Sequence, residues 1–129
     1  MILIHGLRDW TKNSRVGEFH TIHISCSLHK PGWTVPFRPF GYVLRTDKKG
    51  IIAAYAKDAC SVVISGKKSI SRKMYNYETD FENLIRDTPR NKHNELILSV
   101  DSVEIIGYYG QHKKFAYACE CKNLPLYNI

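Results

Sequence analysis

Apolar and polar residues alternate most cleanly in HTIHISCSL. Ile22, Ile24, Cys26 and Leu28 fall on one side, and Thr21, His23, Ser25, Ser27 and His29 on the other. That period of two predicts a half-buried strand. At the N-terminus, Ile2, Leu3 and Ile4 run into His5 and Gly6, which reads as a strand ending in a turn. Three more strand-like runs, NELILSV, VEIIGYY and KKFAYACEC, fill the C-terminal third, with Asp101 and Ser102 joining the first two and GQHK as a hairpin turn before the third. The period changes in TDFENLIRDT, which predicts a helix. Thr79 and Glu82 have capping-box spacing, Pro89 lies just past the stop, and Tyr77, Phe81, Leu84 and Ile85 form the apolar face.

Two stretches read differently. HKPGWTVPFRPF carries three prolines, a glycine and three aromatic rings, as an ordered loop packed by its own rings would. Asp47 to Gly50 is a turn signal, but the IIAAYAKDAC that follows fits either the return strand of a hairpin or a short helix with Ile51, Ile52, Tyr55 and Ala59 on one side. Its alanines favour the helix. The expected fold is α+β, one domain over residues 1–129, with a mostly antiparallel twisted sheet and one or two helices.

Length and composition narrow this without changing it. A chain of 129 residues supports one core rather than two. No apolar run has bilayer length and the N-terminus lacks a signal-peptide layout, so a cytoplasmic protein without membrane contact is expected. The four cysteines, Cys26, Cys60, Cys119 and Cys121, contain no C-x-x-C pair, which favours buried free thiols over a zinc site.

Charge adds more. Nineteen Lys and Arg against twelve Asp and Glu give a formal +7, a balance that attracts nucleic acid, a nucleotide cofactor or an acidic protein, or that simply keeps the surface soluble. The densest basic run, SGKKSISRK, offers Lys67, Lys68, Arg72 and Lys73 for nucleic-acid or target binding. It lacks the Gly-x-x-x-x-Gly-Lys spacing of a phosphate loop, and as a plain solvated loop it is about as well explained.

The six histidines are not in metal-ligand spacing. His20 and His23 fall on opposite faces of a strand, and His23 and His29 stand roughly 20 Å apart along one, so no metal site is expected. Two imidazoles, or an imidazole and a lysine such as Lys68 or Lys73, brought around one phosphodiester would make a small basic ribonuclease, with His20 or His23 as the acid or base. A solvent-facing strand histidine is the plainer reading of each. Glu95 opens an apolar strand. There it is an ordinary surface acid, or a carboxylate that steadies positive charge developing on a sugar when a second group orients that sugar.

Taken together, ILIHGL, IIAAYAKDA and NELILSVDSVEIIGYY resemble the three anchors of a minimal ADP-ribosyltransferase domain whose site reads His, Tyr, acid. The resemblance implies that His5 holds a ribose hydroxyl of NAD and that Gly6 meets the nicotinamide amide with its backbone. It also implies that Tyr55 stacks on the nicotinamide ring and that Glu95 stabilises the ribosyl cation. Arg8 and Lys12, close behind Gly6, are placed to hold pyrophosphate. NAD would be a substrate and a macromolecule, protein or nucleic acid, the acceptor; a toxin or a phage–bacterium conflict factor would suit such an activity. The chain departs from the pattern at Leu7, where the family usually has a hydroxyl residue, and it carries neither a Ser-Thr-Ser run nor a Glu-x-Glu pair, since Ile97 stands two residues after Glu95. A non-enzymatic inhibitor or adaptor docking an acidic partner on the basic face is the third reading.

Overall fold

A computed structural model describes residues 2–7, 23–57, 72–110 and 123–129. The expectations placed on Arg8, Lys12, His20, Cys60, Lys67, Lys68, Cys119 and Cys121, and on the strand in KKFAYACEC, lie outside these residues.

Among the described residues seven strands form one sheet: β1 Ile2–Gly6, β2 His23–His29, β3 Gly41–Arg45, β4 Ile51–Tyr55, β5 Glu95–Ser99, β6 Glu104–Tyr109 and β7 Leu126–Tyr127. Their order is β4-β5-β2-β1-β3-β6-β7. Every pairing is antiparallel except the short parallel one between β6 and β7. A mostly antiparallel sheet is therefore found as the alternation predicted. Among the described residues it carries one α-helix, α1 (Phe81–Asp87), and no helix long and apolar enough to cross a membrane.

The main core lies between α1 and one face of the sheet. Leu7, Cys26, Leu28, Tyr42, Leu44, Ala54, Leu96 and Leu98 meet Leu84 and Ile85, with Tyr77 and Phe81 packed alongside. The helical face read from the sequence is thus the face that is buried. The capping box does not form: α1 starts one residue later, after Asp80, with no side-chain cap bond. A smaller cluster of Ile4, Val43 and Tyr109 closes the opposite face under β1, β3 and β6.

The stretch after Gly50 is strand β4, not helix. Ala54 is fully buried opposite Leu96, and cross-strand pairing outweighs the weak helical preference of alanine. His29 also departs from the alternation. It is buried, with its ring Nδ1 3.0 Å from the Thr34 hydroxyl. β2 lies between β1 and β5, and its C-terminal half, Cys26–His29, is buried on both faces.

Candidate functional site

The site begins where two neighbouring strands part. β1 and β2 pair at Ile2–His29, Leu3–Leu28 and Ile4–Ser27. Beyond Ile4, β1 continues only beside β3, with His5 opposite Tyr42 and Gly6 opposite Gly41, while β2 continues beside β5. The Ser25 carbonyl accepts a hydrogen bond from His5 Nδ1 at 2.7 Å. A carbonyl can only accept, so this bond fixes the neutral tautomer, with the proton on Nδ1 and the acceptor lone pair on Nε2. Burial holds the His5 pKa below the usual imidazole value, and the Ser25 bond opposes it only in part.

Glu95 arrives from the other side. It is the first residue of β5, on the sheet face opposite that of Leu96 and Leu98, with Tyr55 of β4 as its register partner. One carboxylate oxygen accepts the Ser25 hydroxyl at 2.7 Å, and the other meets the Arg72 guanidinium at 2.5 Å. Both ends of that ion pair are mostly shielded, with 19% and 15% of the side chains exposed. Arg72 lies over the Tyr55 ring at 3.8 Å and also donates to the Lys57 carbonyl. A planar cation on a ring and beside a carboxylate combines stacking with charge pairing.

The residue placing Glu95 is its neighbour. Asn94 is fully buried; its Oδ1 accepts from the Leu28 amide at 2.7 Å and its Nδ2 donates to the Leu28 carbonyl at 3.1 Å. The Ser27 hydroxyl in turn donates to the Asn94 carbonyl. Asn94 thus supplies from its side chain the next rung of the β2–β5 ladder and ties the start of β5 to β2.

These groups line a cleft of about 190 Å³ containing His5, Gly6, Ser25, Glu95, Phe37 and His93, among others. His5 and Glu95 therefore share it. Tyr55 is not in its lining; it stands beside Glu95 on the far side, beneath Arg72. Gly6 lines the cleft, but a Cβ there would come within 2.6 Å of the Arg38 side chain, so its bareness accommodates Arg38 as well as anything that enters. Leu7 is buried in the main core, where a hydroxyl would have no place. Cys26 also lines the cleft; burial, with the Glu95 carboxylate adding to it, pushes its thiol well up, which leaves it protonated and unreactive.

Of the remaining nominees, Arg72 is engaged with Glu95 and Tyr55, and the Lys73 ammonium lies over the Tyr75 ring at 4.7 Å. His23 is exposed at the start of β2 and is not part of the cleft. Among the described residues no group of three His, Cys, Asp or Glu side chains is placed to hold a metal. Sequence reasoning passed over Ser25 and Asn94. The signal for Ser25 was its pairing with Ser27 on one side of β2, a pattern shared by any solvent-facing strand. Asn94 gave none, because its bonds reach residues 66 positions away. No protein-family model matches the chain, and no curated protein or solved structure is found similar to it.

Proposed function

We propose that this is a small α+β, cytoplasmic, NAD-dependent ADP-ribosyltransferase-like protein acting on a macromolecular acceptor. The observation that carries the reading is the meeting of His5 from β1 and Glu95 from β5 in one cleft, bridged by Ser25. Breaking the bond between nicotinamide and ribose builds positive charge on the sugar, and a fixed carboxylate lowers that barrier. In this reading Glu95, held by Ser25, faces the developing charge, while His5, neutral and with Nε2 as acceptor, takes a ribose hydroxyl. The acceptor nucleophile bonds to ribose C1′ as the C1′–N bond breaks. Its electron pair leaves with neutral nicotinamide, and the acceptor's proton passes to water.

Tyr55 lies outside the cleft with the Arg72 guanidinium over its ring, so in this reading the nicotinamide contact falls to groups that line the cleft rather than to Tyr55. The cleft is smaller than the roughly 300–1,000 Å³ of sites that enclose a whole ligand, so in this reading it takes the reacting end of the dinucleotide rather than all of it. Calorimetry with millimolar NAD and an assay of nicotinamide release test the proposal. Binding is expected, and Glu95→Gln is expected to remove release while leaving the thermal transition in place. Absence of NAD binding at that concentration would overturn it.

A further inference from the structure

Two loops meet at the mouth of the cleft. Residues 30–40 and 88–94 are joined by bonds from the Val35 amide to the Lys92 carbonyl, from the Asn91 amide to the Trp33 carbonyl and from the Trp33 indole N–H to the Thr88 carbonyl. Gly32 and Asn91 take the left-handed backbone conformation that these turns require, at φ 75° and 61°. Together the two segments carry Lys30, Arg38, Arg90 and Lys92 and no Asp or Glu. That is four cations without a carboxylate on two loops joined backbone to backbone.

Aromatic rings lie among those cations. Trp33 has the Lys30 ammonium and the Arg90 guanidinium each 5.4 Å from its ring. Phe37 carries the Arg38 guanidinium at 4.5 Å and the His93 ring at 4.9 Å, tilted by 49°. Phe37 is 51% exposed, although a ring of that size gains from burial, and both Phe37 and His93 belong to the cleft that holds His5 and Glu95. An exposed ring flanked by cations at a cleft mouth suits a ligand with flat faces and regular negative charge.

We propose that this two-loop face binds single-stranded nucleic acid and delivers one base to the cleft, making a nucleobase the acceptor. The last step rests on the transferase reading; the binding does not. Bases of a single strand are free to stack on rings and guanidinium planes while Lys and Arg neutralise the phosphates. A paired base has both faces covered by its neighbours in the stack and cannot lie on the Phe37 ring.

The test is fluorescence anisotropy on the full chain without NAD, using labelled twelve-nucleotide oligo-dT and oligo-rU, a duplex of equal length and a polyglutamate peptide as competitor. Single strands are expected to bind at least about tenfold more tightly than the duplex, and Phe37→Ala to weaken them about tenfold. The exposed pair Arg90→Ala/Lys92→Ala is expected to lower the slope of log affinity against log salt by about 1.4, two phosphates' worth for a single strand. Lys48→Ala/Lys49→Ala, at exposed lysines in the turn before β4, should change nothing. Equal binding of duplex, equal competition by polyglutamate or an equal loss in the Lys48/Lys49 variant would overturn the proposal, whatever NAD does. Strand binding without NAD consumption would instead count against the transferase and leave the surface standing.

Discussion

Replacing Asn94 with alanine should cost the protein much of its stability, and the cost follows from two bonds. The Asn94 side chain satisfies both the amide and the carbonyl of Leu28 in a site with no solvent exposure. Alanine leaves both groups buried and unpaired, at about 1–3 kcal/mol each. The expected loss is therefore about 2–6 kcal/mol, a large part of the roughly 5–15 kcal/mol that holds a domain together. A urea titration followed by circular dichroism reads it as a midpoint about 1 M or more lower at unchanged slope, and a thermal scan as a fall of about 10 °C. Asn94→Asp supplies the internal control. It keeps the acceptor for the Leu28 amide but loses the donor and buries a carboxylate, so its pKa in the fold rises above the unfolded value. Stability from that group is then present at low pH and lost as pH rises, and Asn94→Asp should gain on Asn94→Ala between pH 7 and pH 4. An Asn94→Ala variant within about 1 kcal/mol of wild type would refute the reasoning, because the Leu28 groups would then have found other partners.

Two further outcomes follow from the packing. The Tyr75 hydroxyl donates to Asp87 at 2.7 Å; burial first, then Asp87, raises the phenol to about 12, while the same bond, with Arg86 second, lowers the Asp87 carboxyl. The carboxylate contribution is present above the ordinary Asp range and lost as pH falls through the lowered value, and the phenol contribution is present below pH 10 and lost between about 10 and 12. Tyr75→Phe should flatten both limbs of a melting-temperature profile against pH; two unchanged limbs would count against the pairing. At Gly41 an added Cβ falls on the His5 carbonyl oxygen, a deeper overlap than at Gly6, where it meets the Arg38 Cβ and Cγ at 2.6 Å. Gly41→Ala should therefore be the worse of the two in chemical denaturation, by about 1–3 kcal/mol against wild type, and the reverse order would show that the β1–β3 backbone yields more easily than the arginine.

Strand β2 and helix α1 were legible because one periodic face in each case ends up against a single core: Cys26 and Leu28 in the strand, Phe81, Leu84 and Ile85 in the helix. β4 was not, because what makes IIAAY a strand is its partner β5, more than forty residues later. His29 misled for a related reason: alternation reports one covered face, and the loop carrying Thr34 closes over the other at the end of β2. His5 and Glu95 could be nominated singly, each at the end of an apolar run. What surrounds Glu95 could not be. Ser25 and Arg72 reach it from 70 and 23 residues away, and a strand serine or a basic-loop arginine carries no local mark of such a partner.

The parting of β1 from β2 has one more consequence. With no rung there to satisfy it, the Ser25 carbonyl depends on an imidazole wedged into the gap, and Ser25 is also the residue whose hydroxyl aims Glu95. Removing the ring therefore slackens the seam and the acid together, so an inactive His5→Ala protein would report a loosened hinge as much as a missing ligand contact. A replacement such as asparagine, able to offer an N–H to the same carbonyl, separates the two by restoring the seam without restoring the ring.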